Sequence, residues 1–216
     1  MIKGAVFDMD GLMFDSERLT FDAWYKVLND NGFCYTFDIY KQTVGKRTVE
    51  TKAYYEGLYG DSFDYSSMRQ KANDVFWDYI EKNGMPIKKG LFELLDYLKA
   101  NNIKISLATS TSEESAMRMI KKAGVEEYFD AFVCGNMVKN GKPHPEVFLT
   151  AAKKLSLPPQ SCIALEDSIN GIKSAYAAKM LPIMVPDMLS PTKEIMPMLY
   201  ALCKDLSEVI KKINKK

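Results

Sequence analysis

The chain has 216 residues, 47% of them hydrophobic and 26% charged, with a formal net charge of +1. Such a composition is that of a soluble globular protein with length for one large domain or two unequal ones. It contains no run of about 18 apolar residues, which excludes a spanning helix, and no basic stripe. The Lys-rich end (Lys211, Lys212, Lys215, Lys216) reads as a solvated terminus, not a nucleic-acid site. The four cysteines, Cys34, Cys134, Cys162 and Cys203, are far apart with no C-x-x-C. That pattern predicts reduced, mostly buried thiols and a cytoplasmic setting rather than a disulfide frame or a zinc site. The opening residues lack the apolar core of a signal peptide, and the 13 methionines suit adaptable core filling.

In chain order, Ala5-Val6-Phe7 is a short apolar run that predicts a buried strand, closed by a turn at Gly11. Leu19, Ala23, Trp24, Val27 and Leu28 then recur on one helical face as far as Gly32. Further helices are expected around 37–43 and 47–59. Another carries Met68, Ala72, Val75, Phe76, Tyr79 and Ile80 up to Asn83-Gly84. No strand is predicted from 17 to 83, so 16–84 reads as a helical domain inserted after the first strand, and 1–15 with 85–216 as the main domain. The short crossings near 12–16 and 84–90 suit hinge motion.

From residue 85 the chain alternates. A helix on Leu91, Leu94, Leu95 and Leu98 precedes a strand at 103–108. Strands follow at 131–134, 162–165 and 181–185, with helices between them, one opened by Pro145. A last helix spans about 205–213. This alternation predicts an α/β fold, a doubly wound parallel sheet.

The predicted strand ends carry the chemistry. Asp8 and Asp10, two residues apart, face one volume at the first strand's exit, where carboxylates that close need a shared proton or a cation. A hard cation such as Mg²⁺ takes oxygen ligands of this kind. The second strand ends in Thr109 and Ser110, and the fourth in Glu166 and Asp167; before the fourth, Lys142 sits in a turn restricted by Gly141 and Pro143. In a parallel sheet these ends gather on one edge. Taken singly each has a plain use: Thr109 as a helix cap, Lys142 as a solvated loop residue, Glu166 and Asp167 as acids favoured at a helix start. Taken together they form the set that phosphoryl transfer through a carboxylate requires: a nucleophile, an acid/base, metal-type acids, a hydroxyl and a cation. His144, the single histidine, lies between two prolines at a helix start and receives no role.

These motifs resemble those of the haloacid dehalogenase superfamily, in the branch of β-phosphoglucomutases and sugar-phosphate phosphatases. They are Phe7-Asp8-Met9-Asp10-Gly11 with Asp15-Ser16, Leu107-Ala108-Thr109-Ser110-Thr111, Gly141-Lys142-Pro143, and Leu165-Glu166-Asp167-Ser168 with Gly171-Ile172. The resemblance runs from Ile2 to about Val185. It implies a core sheet of order 3-2-1-4-5 with an inserted helical cap. Asp8 would be the nucleophile that forms an aspartyl-phosphate and Asp10 the general acid/base. Thr109 and Ser110 would meet the phosphoryl group, and Lys142 would pair with it and with Asp8. Mg²⁺ would be held by Asp8, the backbone carbonyl of Asp10 and Asp167, with Glu166 binding directly or through water. Dehalogenases of the superfamily lack the second aspartate and the metal, so Asp10 points to phosphate chemistry. Gly45, Lys46 and Arg47 would offer a cap loop and positive charge to an anionic substrate.

The resemblance also shows departures from the mutases. Thr20, Ala72 and Thr48 stand where mutases place a His, a Lys and an Arg for the second phosphate of a bisphosphate. The expectation is therefore a Mg²⁺-dependent phosphatase of a small phosphorylated metabolite, a sugar phosphate, with a phosphosugar mutase as the alternative. No nucleic acid, membrane or obligate protein partner is expected. A receiver-type phosphorylation switch also gathers acids, a hydroxyl and a Lys, but on a shorter chain that accepts phosphate at the third strand.

Overall fold

The computed structural model describes residues 1–44 and 48–214. The chain divides into two compact units, Met1–Asp15 with Ile87–Lys216, and Ser16–Pro86.

The larger unit is built on a parallel sheet. Its strands are β1 (Gly4–Phe7), β2 (Lys104–Ala108), β3 (Ala131–Val133), β4 (Cys162–Glu166), β5 (Leu181–Met184) and β6 (Ala201–Leu202), in the order β3-β2-β1-β4-β5-β6. β1 is fully buried, because a central strand covered on both faces admits no polar side. Val6 shares one face with Ala108, Val133 and Ala164 and packs there against Val147, Phe148 and Ala151 of the helix Glu146–Lys154. Phe7 points to the opposite face and meets the edge of Phe129 at 6.0 Å. The predicted order 3-2-1-4-5 stands, with one addition: β6 extends the sheet beyond β5 through Ile183↔Ala201 and Met184↔Leu202. Two residues are too few to leave a period-two signature in the sequence.

Register decides what the strands deliver. Phe7 lies opposite Leu107 on one side and Leu165 on the other. β1, β2 and β4 therefore expire together, and Asp8, Thr109 and Glu166 emerge at one edge. Because β1 is flanked by β2 and β4, this edge is also the point where the strand order reverses, the usual ligand crevice of open α/β sheets.

The smaller unit is helical: α1 (Ser16–Asp30), α2 (Phe37–Lys41), α3 (Thr48–Tyr59) and α4 (Tyr65–Asn83). The predicted helix at 37–43 stops at Lys41. α1 buries the predicted Leu19, Ala23, Trp24, Val27 and Leu28. α4 buries Tyr65, Met68, Ala72 and Ile80, while of the predicted stripe Val75 and Phe76 are half-buried and Tyr79 is exposed. Aromatic rings fill this core: Trp24 lies 5.2 Å from Tyr55 and 5.8 Å from Tyr65. The buried hydroxyls of Tyr35 and Tyr55 share a hydrogen bond of 2.7 Å, as buried polar groups require. Among the described residues no helix is long and apolar enough to cross a membrane. The cysteines are free; Cys134, Cys162 and Cys203 are buried and Cys34 is exposed.

Candidate active site

The first acid is fixed by the sheet. The Asp8 amide donates to Leu165 O at 3.0 Å, which continues the β1–β4 ladder one step past the strand and buries the side chain at the edge. The chain then turns back on itself, with Met13 N and Phe14 N both donating to Met9 O at 2.9 and 3.3 Å. Gly11 permits the turn in two ways. Its φ is +76°, and a β-carbon there would come within 2.4 Å of Asp167 Oδ2.

Asp10, two residues on, is oriented from the end of β2. Its Oδ2 accepts from Thr111 Oγ1 at 2.7 Å and from Thr109 Oγ1 at 3.5 Å, and Thr109 Oγ1 in turn accepts from Thr111 N at 3.0 Å. Thr109 therefore does not cap the following helix (Glu113–Ala123); it is buried against the acid. Ser110 is exposed beside it. Thr111 stands in the sequence only as the last residue of the Leu107–Thr111 motif, and its bond to Asp10 emerges from the structure. Of the three consecutive hydroxyl residues Thr109-Ser110-Thr111, the two that are two residues apart, Thr109 and Thr111, reach Asp10, and Ser110 between them is exposed.

Lys142 is the hub. Its Nζ donates to Glu166 Oε1 at 2.6 Å, to Ala108 O at 3.0 Å and to Asp8 Oδ1, and it lies 5.1 Å from the centre of the Phe148 ring. The loop that carries it is tied down by Glu146, whose carboxylate accepts from Lys139 N, Asn140 N and Asn140 Nδ2 at 2.9–3.0 Å. His144 is half-exposed. Its Nδ1 accepts from Glu146 N at 3.3 Å, a bond that shapes the turn.

Glu166 is held from every side. Oε2 accepts from Asp167 N, Ser168 N and Ser168 Oγ at 2.9–3.1 Å, while Oε1 takes Lys142. Gly171, in the first turn of the helix Ile169–Ala177, leaves room for this carboxylate. A β-carbon at Gly171 would sit 1.8 Å from Glu166 Cδ. Ser168 caps that helix by accepting from Gly171 N at 3.0 Å.

Asp8, Glu166 and Asp167, all buried, each offer an oxygen within 4.8 Å of the others. Burial pushes the Asp8 carboxyl well up, Lys142 opposes this, and the charges of Glu166 and Asp10 add to the rise. Burial pushes the Lys142 ammonium down, but Asp8 and Glu166 more than reverse this and hold it charged. One buried ammonium thus faces an excess of carboxylates, all of them oxygen donors. That set fits a hard divalent cation, which would offset the remaining negative charge. The carboxylate of Asp10 is outside this trio. Gly45, Lys46 and Arg47 lie outside the described residues.

The family described as haloacid dehalogenase-like hydrolase matches residues 5–185. The chain belongs to this family. As a haloacid dehalogenase-like hydrolase it is an enzyme. It is 33% identical over 181 residues to the phosphorylated carbohydrates phosphatase of Thermotoga maritima, covering 82% of each chain. It is 36% identical over 196 residues to a Drosophila melanogaster protein named probable pseudouridine-5′-phosphatase, covering 86% of this chain and 82% of that one. Among solved structures it resembles the β-phosphoglucomutase of Clostridium difficile, with a TM-score of 0.80 and 27% identity, over 100% of this chain and 98% of that one.

Proposed function

We propose that this hydrolase of phosphoric monoesters is a Mg²⁺-dependent phosphatase of a small phosphorylated metabolite, a sugar phosphate, and that it works through a phosphorylated Asp8. The observation that carries this reading is the buried contact of Lys142 with both Asp8 and Glu166 at the strand edge, with Asp10 beside it on Thr111. An Asp8 oxygen attacks phosphorus, and the bond from phosphorus to the alcohol oxygen breaks. Asp10 gives that oxygen its proton. Asp10 then takes a proton from water as the water attacks the phosphorus of phospho-Asp8, which frees inorganic phosphate and restores both carboxyl groups. Thr109 donates a hydrogen bond to a phosphoryl oxygen. Lys142 opposes the upward push of burial on the Asp8 carboxyl and stabilises the equatorial charge.

Asp8, the backbone carbonyl of Asp10 and Asp167 would hold Mg²⁺. The full hydrogen bonding of Glu166 supports a contact through water for that residue. When bound, the ion neutralises charge on the phosphoryl oxygens. The phosphorylated carbohydrates phosphatase among the relatives supports the substrate class. Buried free thiols suit a cytoplasmic setting.

The β-phosphoglucomutase likeness favours a second reading, a phosphosugar mutase. Against it stand Thr20, Thr48 and Ala72. Lys71, next to Ala72, has its Nζ engaged with Asn31 Oδ1 at 2.8 Å.

The test is phosphate release from a panel of sugar phosphates, nucleotides and small organic phosphates with Mg²⁺, for the wild type and Asp8→Asn. Release by the wild type from phosphosugars and none above background from a folded Asp8→Asn is expected. Substantial turnover by Asp8→Asn would remove Asp8 as nucleophile.

A further inference from the structure

A second carboxylate–lysine contact stands next to the acidic trio. Asp187 follows β5, whose continuation is fixed to the end of β4 by Val185 N donating to Glu166 O at 2.8 Å. Lys88 Nζ donates to Asp187 Oδ1 at 2.6 Å and lies 3.7 Å from Asp15 Oδ1. Lys88 is itself anchored by its backbone, with N donating to Met13 O at 2.9 Å. The Asp187 side chain is 5% exposed. Its other oxygen, Oδ2, is buried and has no hydrogen-bond partner among the described residues.

That oxygen has a definite aim. A β-carbon on Gly11 would come within 3.3 Å of Asp187 Oδ2 and 2.4 Å of Asp167 Oδ2. The two carboxylates therefore converge over one glycine, and Asp167 also belongs to the trio with Asp8 and Glu166. A buried carboxylate oxygen without a donor is destabilising, and a second acid facing it makes matters worse. What fits between them is a proton donor polarised by positive charge. A water in the hydration shell of a hard cation is such a donor, since Mg²⁺ commonly keeps several of its waters.

We propose that Asp187 is a positioning residue for the cation held by the trio. Its Oδ2 accepts a hydrogen bond from a cation-bound water on the Asp167 side, and Lys88 sets its orientation by occupying Oδ1. The inference rests on the reading of Asp8 and Asp167 as cation ligands. Outer carboxylates of this kind tune metal affinity by about 10- to 100-fold.

The experiment titrates Mg²⁺ alone, by calorimetry, into the metal-stripped wild type, Asp187→Asn and Asp205→Asn. Asp205, paired with the neighbouring Lys89 and not part of the acidic trio, serves as the control. The expected result is a Kd for Mg²⁺ raised about 10-fold or more in Asp187→Asn, and unchanged in Asp205→Asn. A folded Asp187→Asn with wild-type affinity would overturn the proposal while leaving the metal reading intact. A wild type that binds no Mg²⁺ would overturn both. Should Asp187→Asn not fold, a crystal structure of the wild type grown with Mg²⁺ decides. A cation-bound water on Asp187 Oδ2 supports the assignment; direct ligation by Asp187, or no water there, sinks it.

Discussion

At Gly171 the site depends on a missing side chain. Alanine would place its β-carbon 1.8 Å from the Glu166 carboxylate carbon, so Glu166 has to leave its bonds to Ser168 and Lys142. We expect Gly171→Ala to lose on the order of 100-fold in kcat, the scale of a misplaced catalytic group, and about 1–3 kcal/mol of stability from overpacking. Steady-state kinetics and thermal melts check this; both unchanged would mean that Glu166 relaxes freely. Thr111 offers a milder probe. Thr111→Val keeps the shape and removes the 2.7 Å bond to Asp10. A hydrogen bond to a charged group contributes about 1.5–3 kcal/mol, so kcat should fall roughly 10- to 100-fold with the melting temperature little changed. An unaltered kcat would show that Asp10 does not need this orientation.

At the scale of elements, the helix Leu206–Ile213 is set by its cap. Asp205 Oδ1 accepts from Ser207 N at 3.0 Å and Glu208 N at 3.3 Å, and its Oδ2 meets Lys89 Nζ at 2.7 Å. The Lys89 hydrogen bond, followed by that from Ser207, pulls the carboxyl down to about 2. A pKa lower in the folded than in the unfolded chain gives stability that is complete above the ordinary Asp range. That stability is lost as pH falls toward 2. Asp205→Ala should therefore cost about 1 kcal/mol at neutral pH, and denaturant melts should show the gap to wild type closing below about pH 4. A gap independent of pH would contradict this.

The elements also show what was legible in the sequence. β1, β2 and β4 were readable because central strands are short, continuous apolar runs, and α1 because its buried stripe keeps helical spacing. β6 was not, because it is two residues of edge strand whose pairing depends on β5. Of the site, the positions at strand ends were readable because register carries them to one edge. The bond of Thr111 to Asp10 and the approach of Asp187 to Gly11 depend on where loops fold back, and no periodicity records that.

For the whole molecule, the question is whether the phosphoryl group ends on water or on a second sugar hydroxyl. A mutase must hold a bisphosphate by charged groups at its second phosphate, and Thr20, Thr48 and Ala72 supply none. Each such charged hydrogen bond contributes about 1.5–3 kcal/mol, so two or three missing ones would weaken that complex by several powers of ten unless Lys46, Arg47 or Lys71 substitutes. The decisive measurement incubates the enzyme with Mg²⁺ and a phosphosugar panel that includes β-glucose 1-phosphate. A trace of glucose 1,6-bisphosphate is added, and free phosphate and glucose 6-phosphate are followed together. The account predicts that inorganic phosphate accumulates as the main product. Rapid, near-stoichiometric glucose 6-phosphate with negligible free phosphate would contradict it.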